Sequence, residues 1–94
     1  MREEKFDDGT TVEWSTKDAL LYRDGDFAVS ILYRYGPDGI FEQGRKIVRN
    51  AITKWEKFPA GASADISLQT KEKIIQRAID YFKRQGMTVE VVDK

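Results

Sequence analysis

The chain contains no cysteine and no histidine among its 94 residues. Without cysteine there can be no disulfide framework, no thiolate nucleophile and no Cys-type zinc or iron–sulfur site, which excludes the disulfide-rich class of small secreted proteins. Without histidine there is no imidazole base, no Ser-His-Asp triad and no His-ligated metal. We therefore expect a protein of a reducing, cytoplasmic compartment that uses no cofactor and no metal.

Long apolar runs are also missing. The longest, residues 19–22 and 27–29, fall far short of the roughly 20 residues that a membrane-spanning helix needs. The first eight residues are mostly charged and lack the apolar region of a signal peptide. We expect neither membrane insertion nor export, and we expect residues 1–8 to be loosely ordered.

The length predicts one domain over residues 1–94 with a small core. Sixteen basic residues balance sixteen acidic ones, but the two signs are unevenly distributed. Residues 1–43 hold five basic and ten acidic side chains, and residues 44–94 hold the compensating excess of five positive charges. The simplest interpretation is that the two halves neutralise each other when they fold together, and the alternative is a functional charge separation.

Period-two alternation predicts a series of strands in the first half. Residues 11–15 and 19–23 form the first two, and the second turns at Asp24-Gly25, a dipeptide suited to a type I′ hairpin. The clearest alternation covers residues 27–35, which we predict to be the central strand. Pro and Gly mark a turn at residues 36–39, after which a fourth strand begins at residues 40–42.

The segment of residues 44–59 fits two structures. Its apolar residues recur at helical spacing, yet residues 45–49 also form a β-rich run that can pair back across Gln43-Gly44. We favour a strand followed by a short helical turn at residues 51–55, because a helix here would interrupt the meander. Residues 59–64 are small and form a connecting loop.

One long helix follows. Ser67 is a suitable N-cap, Gly86 supplies the left-handed position after the last turn, and an apolar stripe runs between them. The stripe comprises Leu68, Ile75, Ala78, Ile79 and Phe82, widened by Ile74 and Tyr81. Residues 87–92 alternate again and predict a closing strand. The fold class is therefore α+β: an antiparallel meander of four to five strands, one C-terminal helix packed on one face, and a C-terminal strand.

Few residues could perform chemistry. Glu13 and Glu42 are the carboxylates within apolar strands, but nothing in their spacing requires an acid–base pair. Asp24 and Asp26 lack the remaining positions of a calcium loop and are better interpreted as turn residues. We therefore predict that the protein is not an enzyme.

Two surfaces are candidates for binding. The first is the basic run of Arg45, Lys46, Arg49, Lys54 and Lys57, interleaved with Trp55 and Phe58. This pattern is typical of nucleic-acid binding, in which cations contact phosphates and aromatics stack on bases. The tyrosines of the predicted strands form the second candidate, because exposed tyrosines and tryptophans dominate many protein interfaces. The combined candidate residues for partner binding are Tyr22, Tyr33, Tyr35, Arg45, Arg49, Lys54 and Trp55.

The second half also carries a familiar order of motifs: Gly44-Arg45-Lys46-Ile47, Ala51-Ile52-Thr53-Lys54-Trp55, Pro59, Thr70-Lys71-Glu72-Lys73-Ile74-Ile75, Tyr81-Phe82, Gly86 and Val89-Glu90-Val91. Over residues 44–92 this order resembles a small family of immunity proteins from bacterial polymorphic-toxin systems. The resemblance implies a cytoplasmic, non-enzymatic protein that binds and silences a cognate toxin. The alternatives are a nucleic-acid-binding domain that uses the Arg45 to Lys57 segment and a homodimeric structural domain.

Overall fold

The fold is a six-stranded sheet with one helix on one face, seen in a computed structural model that describes residues 3–16, 19–35 and 44–93. The elements are β1 (Glu3–Lys5), β2 (Thr11–Thr16), β3 (Ala19–Asp24), β4 (Phe27–Tyr35), β5 (Gly44–Val48), α1 (Leu68–Arg84) and β6 (Thr88–Val92). The strands lie side by side in chain order. Neighbours from β1 to β5 are antiparallel, and β6 is parallel to β5. The predicted α+β class is confirmed.

The hairpin between β3 and β4 differs in turn type from the prediction. Asp24 pairs directly with Phe27, so the two loop residues are Gly25 and Asp26. Only Gly25 has a positive φ, 61°, whereas a type I′ turn needs positive φ at both loop positions. The type II′ pattern results because only the first position is a glycine, the residue that enters the left-handed region without steric cost.

The segment after β4 follows the strand interpretation. Residues 44–48 form β5. The short helical turn is one turn of 3-10 helix at Arg49–Ala51, so the prediction that it covers residues 51–55 is wrong. The chain then runs along the first half of β4, which β5 does not reach, and Ala28 exchanges two backbone hydrogen bonds with Lys57. This pairing gives hydrogen-bond partners to backbone groups in the first half of β4 that a helix over residues 44–59 would leave without them. The predicted turn at residues 36–39 and the strand start at residues 40–42 lie outside the described residues.

The helix begins and ends as its sequence predicts. The Ser67 side chain accepts a hydrogen bond from the backbone N–H of Thr70 at 3.2 Å. At the other end the N–H groups of Gly86 and Met87 donate to the carbonyls of Lys83 and Phe82, which closes a Schellman motif. The apolar stripe begins later than expected, because Leu68 in the first turn is 72% exposed. Among the described residues no helix is long and apolar enough to cross a membrane.

The core lies between α1 and one face of the sheet. Alternation along each strand directs one set of side chains toward the helix. From the sheet these are chiefly Val12, Leu20, Tyr22, Val29, Ile31, Tyr33 and Ile47, and from the helix Ile74, Ile75, Ala78, Tyr81 and Phe82. Rings of the two layers meet edge to face, as in the contact of Tyr33 with Phe82 at 5.2 Å between centroids.

The N-terminal segment is more ordered than the sequence suggests. Residues 3–5 form β1 and Phe6 is only 6% exposed. The Phe6 ring lies beneath two guanidinium groups of the helix, those of Arg77 at 5.2 Å and Arg84 at 4.4 Å. Arg84 also forms an ion pair with Glu4. Residues 3–8 are therefore attached to the domain, because the one aromatic of this segment joins the core and its charges pair with the helix.

Removal of the Phe6 ring tests this attachment. We expect Phe6→Ala to lower the free energy of unfolding by about 3 kcal/mol, because the ring is buried and its loss leaves a cavity beneath the two arginines. Phe58→Ala is the matched control, since Phe58 is 41% exposed and should cost less than about 1 kcal/mol. Urea unfolding of both variants measures the difference, and equal losses would contradict the role of Phe6.

Candidate functional site

The face of the sheet opposite α1 has no helix or strand of the described residues packed on it. Alternation places on this face the side chains that do not point to the helix. We call it the open face, and its members on the first four strands include Glu3, Lys5, Thr11, Glu13, Ala19, Leu21, Arg23, Ala28, Ser30 and Leu32. Leu32 is 52% exposed. The fold leaves this face available for a partner.

Charges on the open face are sorted into two rows that run across the strands. The cationic row consists of Lys5, Thr11, Arg23, Ala28 and Lys57. Each residue pairs with the next one across neighbouring strands. The anionic row consists of Glu3, Glu13, Leu21 and Ser30, each paired with the next across neighbouring strands. Glu56 ends the row, since its Oε1 accepts a hydrogen bond from the Ser30 N–H at 2.7 Å. Successive residues on one face of a strand are about 6.6 Å apart, so the two rows lie side by side.

A cleft of about 330 Å³ occupies the end of this face beside the β3–β4 hairpin. Its floor is Ala28, flanked by Arg23 and Lys57 of the cationic row, and Leu21 and Phe27 supply apolar walls. The small Ala28 side chain between two long cations creates the depression. Asp26 and Glu56 also line the cleft, so it presents charges of both signs.

A second polar cluster joins the N-terminal turn to α1. Asp8 Oδ1 accepts hydrogen bonds from the Thr10 hydroxyl at 2.6 Å and the Thr10 N–H at 3.1 Å. Its Oδ2 lies 3.1 Å from Arg77 Nη2 and 3.3 Å from Lys73 Nζ. The bonds from Thr10, with help from the two cations, hold the pKa of Asp8 well below its usual range against the opposing effect of burial. All of these groups are engaged with one another, so the cluster fastens β1 and its turn to the helix.

Tyr22 lies beneath this cluster. Its hydroxyl is buried and has no hydrogen-bond partner among the residues that the structure describes. Burial raises the pKa of Tyr22 to about 12, with further contributions from the charges of Asp24 and Asp8. The phenol therefore stays neutral at physiological pH, and its ring stacks on Trp55 at 6.2 Å between centroids.

The structure removes three aromatics from the predicted partner surface. Tyr22 and Tyr33 are buried, so the prediction that they present an exposed recognition face is wrong. Trp55, a candidate for partner binding, is buried as well. Tyr33 lies on the same face of β4 as Val29 and Ile31, and this face packs against α1. Trp55 closes the end of the core against Tyr22 and Phe27.

The other predicted partner residues do not form one site. Arg49 pairs with Glu72 and Asp93, and Lys54 pairs with Asp65, so both cations are engaged within the chain. The side chains of Tyr35 and Arg45 lie outside the described part of the structure, as does Glu42. Glu13 is on the open face, 3.5 Å from Arg23, and belongs to the anionic row.

Sequence reasoning missed the open face and the Asp8 cluster. The cluster had a signal, since Asp8-Gly9-Thr10 is a turn sequence that follows a lone aromatic in a charged segment. The charge rows had no local signal, because their members are brought together by strand pairing. Within residues 3–16, 19–35 and 44–93, no group of three or more Asp or Glu side chains is placed to hold a metal ion.

Comparison with known proteins gives no relative for this chain: no protein-family model, no curated protein and no solved structure matches it.

Replacing Asp8 tests the cluster through pH. We expect Asp8→Asn to lower the free energy of unfolding at pH 7 by about 1 kcal/mol, since charge-assisted bonds are lost. Because the folded pKa lies below the unfolded one, Asp8 stabilises the protein above its unfolded pKa and stops doing so as the pH falls. The difference between wild type and variant should shrink from about pH 5 to about pH 2 in urea unfolding. A stability difference that stays constant over this pH range would contradict this role of Asp8. Asp7→Asn is the control variant, and its stability is measured at pH 7.

Two tyrosine-to-phenylalanine variants test the buried hydroxyls. We expect Tyr22→Phe to leave the stability unchanged or raise it by up to about 1 kcal/mol, because a buried hydroxyl without a partner is removed. Tyr33→Phe should instead lower it by about 1 kcal/mol, because the Tyr33 hydroxyl accepts a hydrogen bond from Trp14 Nε1. Thermal unfolding measures both, and the reverse order of stabilities would contradict the assignment.

Proposed function

We propose that the protein is a small, non-enzymatic protein-binding module that uses the open face, and that its specific role is that of an immunity protein neutralising a toxin in the bacterial cytoplasm. The observation that carries this proposal is the contrast between the two faces of the sheet. One is sealed by α1, and the other presents ordered charges and an exposed leucine. Neutralisation requires binding alone, which suits a domain whose most perturbed carboxylate is fully engaged in ion pairs.

The chemistry of the open face favours a protein partner. A cationic and an anionic row side by side complement a surface that carries both signs, and protein surfaces do. A nucleic acid presents phosphates of one sign and would be repelled by the anionic row. Leu32 adds an apolar contact of the kind that protein interfaces bury at their centre.

The nucleic-acid alternative receives less support from the geometry. It requires free cations and exposed rings along the basic segment. Arg49 and Lys54 are ion-paired within the chain and Trp55 is buried, whereas Phe58 is 41% exposed.

A toxin-protection experiment with matched leucine variants tests the proposal. The toxin encoded directly upstream of the gene is expressed in a bacterial host with this protein, and growth is followed. We expect wild type to restore growth, Leu32→Glu to lose protection and weaken binding at least tenfold in calorimetry, and Leu68→Glu to behave as wild type. Both leucines are exposed, but Leu68 lies in the first turn of α1, away from the open face. A tenfold loss corresponds to about 1.4 kcal/mol, which is typical of an interface residue.

Three results would overturn the proposal. The first is the absence of a toxin gene beside this one, and the second is equal protection by the two leucine variants. The third is binding of labelled single-stranded DNA at about 50 mM salt that disappears as the salt concentration rises, which would favour the nucleic-acid alternative.

A further inference from the structure

The open face is complementary in charge to itself. We propose that two copies of this chain associate through their open faces, about a two-fold axis that runs between the cationic row and the anionic row. This dimer occupies the surface used in the proposed function, so the second copy and the toxin compete for the open face. The inference rests on the register and charges of that face and takes from the proposed function only that the face binds protein.

The geometry follows from the strand register. A two-fold axis in the plane of the interface, parallel to the rows, exchanges the two rows and leaves the position along them unchanged. The cationic row of one copy then faces the anionic row of the second. On β1, Lys5 meets Glu3 of the second copy, because both residues belong to the same strand. At the opposite end Lys57 meets Glu56 of the second copy.

The composition along the rows matches the usual arrangement of an interface. Lys5 and Glu3 stand at one end of the rows, on β1, and Lys57 and Glu56 stand at the other, on the segment beside β4. Between the ends the rows carry the uncharged Thr11, Leu21, Ala28 and Ser30, together with the charged Glu13 on β2 and Arg23 on β3. Protein interfaces have a polar rim, which the end charges supply here. Ion pairs at a rim keep contact with water, so their desolvation cost is small.

The remaining charges of the rows are compatible with this contact. Arg23 and Glu13 form an ion pair at 3.5 Å within each copy, and both side chains are partly exposed. A pair of this kind contributes little to stability. The axis places Arg23 opposite Leu21 and Glu13 opposite Thr11 of the second copy, so Arg23 and Glu13 of the two copies are diagonal neighbours one strand apart. The same axis keeps the strands of the two sheets aligned, which is the common way in which sheets stack face to face.

Sedimentation velocity of charge-reversed variants tests the dimer. Lys5→Glu/Arg23→Glu makes both rows acidic, and Glu3→Lys/Glu13→Lys makes both rows basic. We expect the wild type to sediment as a dimer at about 50 mM salt and to dissociate at about 1 M, where the Debye length is about 3 Å. Each variant alone should be monomeric under the low-salt conditions. An equimolar mixture of the two should restore a species with the mass of two chains.

The control reverses two charges on the helix, in Lys71→Glu/Lys83→Glu, and should leave the dimer intact. Circular dichroism establishes that every variant is folded, and the single variants Arg23→Glu and Glu13→Lys replace any double variant that is not. A wild type that is monomeric at about 50 mM salt, a dimer that persists in either variant alone, or a mixture that stays monomeric overturns the inference.

The dimer and the proposed function fail in different experiments. A monomeric wild type that protects against the toxin overturns the dimer and supports the proposed function. If the dimer responds to charge reversal as expected but the protein gives no protection against the toxin, the result supports the dimer and overturns the proposed function.

Discussion

The packing of α1 on one face of the sheet is the contact on which the rest of the structure depends. Buried side chains from four strands, β2 to β5, and from the helix meet there in one cluster, and a chain of this length has little other apolar surface to bury. This contact divides the molecule into a dry side and an open side. It also fixes which side chains of every strand point to the helix, since a shift by one residue would exchange the two faces.

The choice of which side chains point to the helix has consequences for the surface as well as for the core. Once Val12, Tyr22 and Val29 point to the helix, the charged residues between them must point to the open face. The antiparallel register then brings residues from distant parts of the chain into common rows, and these rows happen to be sorted by sign. The ordered charges of the open face are therefore a by-product of core formation.

The N-terminal turn adds a second constraint that requires only two residues. Phe6 and Asp8 attach β1 to the helix through one ring and one carboxylate, which hold three cations of α1 between them. The acidic first half and the basic second half of the chain meet here, as in the pair of Arg84 with Glu4. The interpretation that the halves neutralise each other describes this contact well. The open face shows that some of the remaining charge is ordered.

The sequence by itself determined the local structure: period-two alternation defined β2, β3 and β4, and Ser67 and Gly86 defined the ends of α1. These signals are readable because backbone geometry and capping act within a few residues. Only the tertiary structure decided that Tyr22 and Tyr33 are buried, that Phe6 joins the core, and that Lys5, Arg23 and Lys57 share a row. Alternation shows which residues of one strand share a face, but the face that meets the helix and the neighbours across strands depend on pairing over long sequence distances.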